Sequence, residues 1–195
     1  MEQPPKTKQR TEPKFASQSI YSRCLLTKKV VLPITVIGDN LHKVIEEYIQ
    51  THFEGKCLAE GFVKAHSTKI INHSSGVIER GSNIVFEVVF ECLICYPVEG
   101  MIIECIVRNS VKAGIRAESK TEVPSPIVVF LAKDHHYNSP HFNDVQIGDT
   151  IYVRVIGQRF ELNDKSISII GELKRDKEPK TRRPSPSKQQ RIVIN

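Results

Sequence analysis

Residues 84–95 have the sequence IVFEVVFECLIC, and this stretch decides the fold of the chain. Successive side chains of a β-strand point to opposite faces, so the alternation separates these residues into two sets. One set is wholly apolar, whereas the other combines two glutamates with apolar residues. The pattern predicts one long strand that is covered on both faces. The first set is Ile84, Phe86, Val88, Phe90, Cys92 and Ile94, and the second is Val85, Glu87, Val89, Glu91, Leu93 and Cys95.

A single amphipathic helix is predicted upstream of this strand. Gly38-Asp39-Asn40 supplies a turn and an N-cap, and Gly55 follows the last apolar residue. Between them, apolar side chains recur at spacings of three and four residues, which places them on one face of a helix. These residues are Leu41, Val44, Ile45, Tyr48, Ile49 and Phe53.

The segments on either side of the helix have the composition of strands. Ser19–Ile37 is rich in β-branched residues and is interrupted by Pro33. Cys57–Ile71 predicts a further strand, bent at Gly61, and polar turns containing glycine follow it before residue 84. The order β-helix-β-β is typical of a small α+β domain.

The remainder of the chain predicts a barrel. Tyr96-Pro97 ends the long strand, and Val98–Leu173 then contains five short strand segments with little helix. The third and fourth segments are separated by a longer connection, Ala132–Gly148. This spacing matches the OB-fold, a partly open five-stranded Greek-key barrel. The predicted fold class is α+β, with a small N-terminal β-helix-β-β domain over residues 17–97 and a C-terminal OB-fold barrel over residues 98–173.

The positive charge of the chain lies in its tails. Residues 174–195 carry eight basic and two acidic residues, and residues 1–14 carry four basic and two acidic residues. Residues 15–173 hold 16 basic and 18 acidic residues, so the body is close to neutral although the whole chain has a formal charge of +6. We expect residues 1–16 and 174–195 to be disordered, because they contain few large apolar groups that could form a core.

Composition disfavours membrane and secreted proteins. No apolar run approaches the roughly 20 residues that a membrane-spanning helix needs. Met1–Lys14 has no apolar segment of the kind found in a signal peptide. The cysteines number five and lie mostly in apolar runs, which favours reduced thiols and an intracellular protein.

Neither a metal site nor an active site is predicted. Cys92 and Cys95 form a CxxC pair, but residues three apart in a strand point to opposite faces, and no second CxxC completes a set of zinc ligands. His135, His136 and His141 crowd one loop without carboxylates or cysteines that would complete a site. A phosphate-binding glycine loop, GxSxG and HExxH motifs and a DxD-type carboxylate cluster are absent from the sequence. We therefore expect a protein with no cofactor and no catalytic residue.

The order of these parts resembles that of a known family, the larger stalk subunit of archaeal and eukaryotic-type multisubunit DNA-directed RNA polymerases. The resemblance covers roughly residues 24–173 and rests on an ordered series of residues instead of one motif. Its most specific part is the closing hairpin, with Ile156-Gly157-Gln158-Arg159, Asn163-Asp164, Ile167 and Gly171-Glu172-Leu173. The earlier members of the series are Gly38, Glu54-Gly55-Lys56-Cys57, Gly61, Gly76-Val77-Ile78, Gly81, Pro97 and Gly100.

The resemblance implies a non-catalytic subunit with an N-terminal tip domain and a C-terminal OB domain. Such a subunit docks on the clamp of the polymerase core through its tip loop, here Ser74–Asn83 with Gly76, Val77, Ile78 and Gly81. A smaller helical stalk subunit is expected along the seam between the two domains. The resemblance further implies support of transcription initiation and contact with nascent single-stranded RNA. From the residues alone, an ordinary hairpin connection accounts for Ser74–Asn83 at least as well.

Candidate RNA-binding residues follow from the way OB barrels bind nucleic acid, with basic groups on phosphates and aromatic groups under bases. The body has no dense aromatic platform, so we expect weak, sequence-tolerant and salt-sensitive binding. For each residue taken singly, a solvated charge or a core aromatic is the simpler interpretation. The candidates are Lys112, Arg116, Arg154, Arg159 and Lys165, with Tyr152 and Phe160 as stacking groups.

The sequence departs from the family at several points, and two alternatives stay open. Both tails are longer than usual, and Ile115 stands where an aromatic residue often follows the glycine of the second barrel strand. These departures are consistent with a divergent member of the family, for example one encoded by a large DNA virus that has its own transcription machinery. The expected location is then a polymerase complex in the cytoplasm or virion, or in the nucleus for a cellular member. The alternatives are a free-standing OB-fold RNA-binding or translation factor and, less favoured, a redox or metal protein built on the cysteines.

Overall fold

The computed structural model describes residues 19–79, 81–136 and 142–174, which form a six-stranded sheet with one α-helix, followed by a closed five-stranded barrel. The expected tails lie outside these residues, except that Lys174 is the last residue of a barrel strand and not part of a tail. The elements of the sheet are β1 (Tyr21–Pro33), α1 (Leu41–Phe53), β2 (Cys57–Leu58), β3 (Gly61–Val63), β4 (Lys69–His73), β5 (Val77–Ile78) and β6 (Asn83–Cys95). The barrel contains β7 (Ile102–Val111), β8 (Gly114–Ser119), β9 (Ile127–Ala132), β10 (Thr150–Arg159) and β11 (Ile167–Lys174).

The long strand predicted from residues 84–95 is the centre of the sheet. β1 runs antiparallel to β6 along its whole length, from the pair Tyr21 and Cys95 to the pair Pro33 and Asn83. The other side of β6 is shared by β3, β4 and β5, each of which pairs with a different part of it. The predicted order of strand, helix and strands is confirmed, and β6 holds every other strand in place except β2, which pairs with β3.

The prediction of one strand over Cys57–Ile71 is wrong, because this segment forms β2, β3 and the start of β4. The first break lies at Gly61. Only glycine suits this position, because its φ of +128° is rare for other residues and a Cβ there would lie 2.6 Å from the carbonyl oxygen of Cys95. The carboxylate of Glu54 fixes the second break, where it accepts hydrogen bonds from the backbone N–H groups of His66 at 2.7 Å and Thr68 at 3.0 Å.

The helix covers one face of the sheet. Its boundaries match those expected from the spacing of apolar residues, and Ile45 and Ile49 are fully buried against Val30, Phe86 and Phe90. Asn40 occupies the N-cap position, but its side chain makes no capping hydrogen bond. The helix is therefore held by its apolar face more than by its cap.

The second face of β6 is not covered along its length, contrary to the prediction. Cys95 is fully buried in the core shared with the barrel, whereas Val85 and Val89 are half-buried and Glu87 is exposed. A strand of this length spans about 40 Å at roughly 3.3 Å per residue, and the barrel reaches only one end of it. The apolar residues on this face do not reveal from sequence alone that, within residues 19–79, 81–136 and 142–174, no element packs over the middle of the strand.

The barrel has the strand order β7-β8-β9-β11-β10 and closes where β10 pairs with β7. β9 and β11 are parallel, and the other neighbours are antiparallel. This is the topology of the OB-fold, so the predicted fold class is confirmed. Alternate residues of each strand fill the interior, among them Ile103, Ile115, Val129, Val153 and Ile169.

One of the three clustered histidines has a structural role in the barrel. The Nδ1 of His136 donates a hydrogen bond to the carbonyl oxygen of Ala132 at 2.7 Å, and its Nε2 accepts one from the N–H of Leu173 at 2.9 Å. The ring also stacks on Phe142 with centroids 4.7 Å apart. Both nitrogens of His136 thus bond within the fold, and His141 lies outside the described residues.

The sheet and the barrel share a buried junction. The N–H of Cys57 donates to the carbonyl oxygen of Asp164 at 2.8 Å, and the N–H of Asn163 donates to the carbonyl oxygen of Cys57 at 2.8 Å. Phe62 and Cys95 from the sheet belong to the same apolar cluster as the barrel interior. The chain passes from sheet to barrel between β6 and β7, next to the predicted domain boundary at residue 97, and the division into domains stays a prediction.

The two cysteines of the CxxC pair belong to different cores, as expected for residues three apart in a strand. Cys92 packs under α1, and Cys95 packs at the junction with the barrel. All five cysteines are free thiols. Burial raises the pKa of Cys92 to about 11 and the pKa of Cys95 to about 12. It likewise raises the pKa of Cys57 to about 11 and that of Cys105 to about 12.

We predict that one thiol per chain, Cys24, reacts with iodoacetamide at pH 7.5 in the folded protein. Cys24 is half-buried at the edge of the sheet, whereas the other four cysteines are buried and their raised pKa values keep them protonated. Intact mass spectrometry should show one adduct before unfolding and five after unfolding in urea. Rapid native labelling of Cys92 or Cys95 would contradict the burial described above.

Candidate functional site

The predicted docking loop is largely a short hairpin at the end of the sheet farthest from the barrel. β5 pairs with β6 through Val77 and Val85 and through Ile78 and Ile84, and the N–H of Glu79 donates to the carbonyl oxygen of Asn83 at 3.0 Å. Val77 is 66% exposed and Ile78 is 73% exposed. The hairpin therefore presents two exposed apolar side chains, one on each face of β5.

The two glycines of this loop are required for different reasons. A Cβ on Gly76 would lie 2.5 Å from Cγ2 of Ile84 and 2.9 Å from the ring of Phe86, so Gly76 permits close packing. Gly81 has a φ of +89° and open space around it, so it serves the turn itself. A bulky residue at Gly76 would disturb the core of the sheet, which makes this position a poor test of docking.

The three arginines predicted to contact RNA lie on the outer surface of the barrel, and each contacts a carboxylate. Nη2 of Arg116 is 3.4 Å from Glu118, and Nη2 of Arg159 is 3.2 Å from Glu161. Arg154 binds Glu172 through two nitrogens, with Nη2 at 3.0 Å and Nε at 3.1 Å. These ion pairs lower the positive potential that each arginine offers to a phosphate.

The other predicted RNA contacts do not form one cluster. Lys112 is exposed in the turn between β7 and β8, and Tyr152 lies half-buried on the outer face of β10. Lys165 is exposed in the closing hairpin, beside the seam between sheet and barrel. Phe160 packs edge-on against Tyr96 with centroids 6.1 Å apart, so it belongs to the junction.

The RNA-binding candidates chosen from sequence omit Phe130, the most exposed aromatic residue in the described part of the barrel. Phe130 on β9 is 45% exposed, and its register partners are Arg116 on β8 and Ile170 on β11. Ile170 is 52% exposed, so the three side chains form an outward row across neighbouring strands. The sequence contains no signal for this position, because residues 127–131 are all apolar, and the burial of Val129 and Leu131 in the structure shows that Phe130 faces outward.

A cleft of about 540 Å³ lies at the seam between sheet and barrel. Three lysines, one glutamate and several apolar side chains line it. The carboxylate of Glu122 forms an ion pair with Lys64 and accepts a hydrogen bond from the hydroxyl of Tyr21, at 2.6 Å from the tyrosine oxygen. Burial would raise the pKa of Glu122, but the hydrogen bonds from Lys64 and Tyr21 outweigh burial and lower it. Burial and the contact with Glu122 raise the pKa of Tyr21 far above its usual value. The lysines and apolar groups are Lys56, Lys64, Lys165, Phe62, Ala65, Val123 and Pro124.

Neither a metal cluster nor a membrane-spanning helix is found in the part of the chain that the structure describes. No three histidine, cysteine, aspartate or glutamate side chains among residues 19–79, 81–136 and 142–174 converge to hold a metal ion. The helices in these ranges are too short or too polar to cross a bilayer.

We predict that Glu122→Gln lowers the stability of the protein at pH 7 and not at low pH. The pKa of Glu122 is lower in the folded than in the unfolded chain, so its contribution is present above about pH 4.5 and is lost as the pH falls through the folded pKa. The loss at pH 7 should be about 1 kcal/mol or less, because the pair is partly solvated. Urea titrations at pH 7 and pH 3 measure this difference, with Glu161→Gln at an exposed ion pair as the control. An equal loss at both pH values would exclude the electrostatic explanation.

Comparison with known proteins identifies two relatives, and no family model matches the chain. The chain is 29% identical over 176 residues to a protein of Acanthamoeba polyphaga mimivirus assigned as a DNA-directed RNA polymerase subunit, a match that covers 82% of this chain and 84% of the relative. It is 26% identical over 173 residues to DNA-directed RNA polymerase II subunit RPB7 of Glycine max, with 80% of this chain and 94% of the relative covered. Both relatives confirm the resemblance inferred from the ordered series of residues.

Proposed function

We propose that this chain, a divergent relative of the RPB7-type subunits of DNA-directed RNA polymerases, is a non-catalytic stalk subunit. It docks on the clamp of the polymerase core together with a smaller helical partner, supports initiation and contacts nascent RNA. The observation that carries the proposal is the geometry of β6. The exposed hairpin pairs with this strand at Ile84 and Val85, and the barrel packs against its other end at Cys95, about 33 Å away at 3.3 Å per residue.

The tip of the hairpin is suited to docking because it is apolar, exposed and held on a rigid strand. Val77 and Ile78 border a groove of about 440 Å³ whose other walls include Lys29, Ser74 and Glu87. Burying two such side chains in a partner would contribute about 1.5–3 kcal/mol each. A free-standing RNA-binding barrel has no need of an apolar tip at this distance, which favours the stalk function over that alternative.

We predict that Ile78→Glu prevents incorporation of the chain into the polymerase without unfolding it. Ile78 is 73% exposed, so the change should shift the unfolding temperature little, whereas a charge buried in an apolar interface carries a large cost. Affinity purification of the tagged chain, followed by quantification of the large polymerase subunits, measures incorporation. We expect at least a tenfold loss.

Ile147→Glu is the matched control for this experiment. Ile147 is 66% exposed and precedes the barrel strand β10, far from the hairpin along the chain. Normal incorporation of the Ile147→Glu variant together with loss of the Ile78→Glu variant would support docking through the tip. Normal incorporation of both variants would exclude the hairpin as the docking element.

RNA contact is proposed for the outer face of the barrel around Phe130. An exposed aromatic ring beside Arg116 offers stacking and a cation, the two features that sequence-tolerant binding of single-stranded RNA uses. Arg159 and Arg154 lie on the same outer surface, two strands away from Phe130 across β11. Because these arginines are paired with carboxylates and the body is near neutral, binding should be weak, with the basic residues after Lys174 adding salt-dependent affinity.

We predict that Phe130→Leu weakens binding of single-stranded oligouridylate by about fivefold to a hundredfold, since a stacked base contributes about 1–3 kcal/mol. Phe130→Tyr is the matched control, because it keeps the ring and should bind normally. Fluorescence anisotropy at fixed salt measures both variants. Equal binding by the Leu and Tyr variants would exclude stacking on this ring.

The alternative, a free-standing OB-fold RNA-binding or translation factor, would use the same surface but would associate with other macromolecules. Purification from the native source under mild salt separates the two functions. Recovery of the large polymerase subunits and a smaller partner supports the stalk function, whereas recovery of ribosomes or RNA alone supports the alternative. The same material locates the protein in the cell or virion.

A further inference from the structure

The two edges of the sheet differ in a way that points to a binding surface. One edge is divided among β2, β4 and β5, and the pairing of β4 shifts register between Ile70 and Asn72. The other edge is β1, a single strand of 13 residues without such a shift. Short strands and bulges protect an edge from adding further strands, and β1 has neither. The barrel is closed and offers no comparable edge.

The register of β1 shows which of its backbone groups face outward. The N–H of Ile34 donates to the carbonyl oxygen of Ser82 at 2.7 Å, in line with the register of the strand, so even-numbered residues of β1 bond to β6. The odd-numbered residues therefore direct their N–H and C=O groups away from the sheet. At Tyr21 the hydroxyl of Ser19 already bonds both groups, at 3.3 and 3.1 Å. Within the described part of the chain, no hydrogen bond engages the outward groups of Arg23, Leu25, Thr27, Lys29 and Val31.

The side chains of the same five residues lie on the face of the sheet that α1 does not cover. Leu25 is 65% exposed and Val31 is 40% exposed, so two apolar groups flank the centre of this edge. β1 contains Arg23, Lys28 and Lys29 and no acidic residue. Arg23 forms an ion pair with Glu91 on β6 at 3.1 Å and Lys28 forms one with Glu60 at 2.8 Å, whereas Lys29 is exposed beside Glu87 on β6. Lys29 is therefore the basic side chain of β1 that no carboxylate of the described residues engages, and it lies between Leu25 and Val31 in the row of outward residues.

We propose that the edge from Arg23 to Val31 binds an extended segment of another polypeptide of the same assembly as an added β-strand. This inference rests on the proposed function, because the assembly supplies the partner. Charge complementarity specifies the segment: an acidic residue opposite Lys29, and apolar residues opposite Leu25 and Val31. A second copy of this chain fits less well, since it would bring the three basic residues of each β1 onto one ladder. Lysine and proline residues can protect a strand edge from pairing with another strand. Pro33 lies beyond the five outward groups, and Lys29 is the position where we expect an acidic residue of the added strand.

Hydrogen exchange tests the proposal at the level of single amides. In the isolated full-length chain, the amides of the five outward residues should exchange fast, while the even-numbered amides of β1 are protected by β6. In the assembly purified through a tagged copy of this chain, peptides covering residues 22–32 should gain about five protected amides. A chain that purifies with polymerase but keeps fast exchange along β1 would overturn this inference and leave the proposed function intact. A chain without polymerase would instead overturn the proposed function.

Thr27→Pro tests the edge by mutation. It removes one outward N–H at the centre of the edge, a position where proline breaks no bond to β6. Thr27→Ala is the matched control, because it keeps the N–H. We expect retention of the smaller partner or other subunits to fall about tenfold for the Pro variant and to be unchanged for the Ala variant. Circular dichroism confirms that both variants fold, and equal retention by the two would overturn the proposal.

Two further outcomes would also overturn it. Concentration-dependent protection of β1 in the isolated chain, with dimers in sedimentation velocity, would assign the edge to a second copy. Protection that is lost when residues 175–195 are deleted would assign the edge to this chain's own C-terminal segment.

Discussion

The pairing of β1 with β6 over 13 residues is the constraint on which the rest of the N-terminal half depends. An unbroken antiparallel register fixes which side chains share a face, because a shift by one residue would exchange the two faces. One face then carries Val30, Phe86 and Phe90 under α1. The other face meets the barrel at Cys95 and is open further along. The same register sets the outward backbone groups of β1.

The junction joins this sheet to the barrel. Two backbone hydrogen bonds join Cys57 to the closing hairpin of the barrel, and apolar residues from both sides share a core. Glu122 adds partly solvated contacts across this junction, with Lys64 and with the hydroxyl of Tyr21. The proposed stalk function, which places RNA relative to a docking tip, needs such a connection, since hinge motion would separate the two parts.

The surface of the barrel pairs its exposed arginines with carboxylates. Arg154 and Arg159 are each held by a carboxylate, so a phosphate must compete for them. Stacking on an exposed ring such as Phe130 does not depend on charge and is less affected by this competition. In the proposed RNA contact, stacking on the near-neutral body and the charge of the basic C-terminal residues would thus contribute separately.

The sequence alone determined the elements whose periodicity is strong. Alternation defined β6 and the strands of the OB-fold, and spacings of three and four residues defined α1, since both patterns arise from local backbone geometry. An ordered series of glycines and closing-hairpin residues was enough to indicate the polymerase family. Only the tertiary structure decided how far each face is covered, that Cys57–Ile71 breaks into short strands, and that Gly76 is packed against Phe86. It also decided that Arg116 is neighbour to Phe130 and Ile170. These features depend on which distant residues meet across the sheets, and contacts between residues remote in sequence leave no periodic trace in the chain.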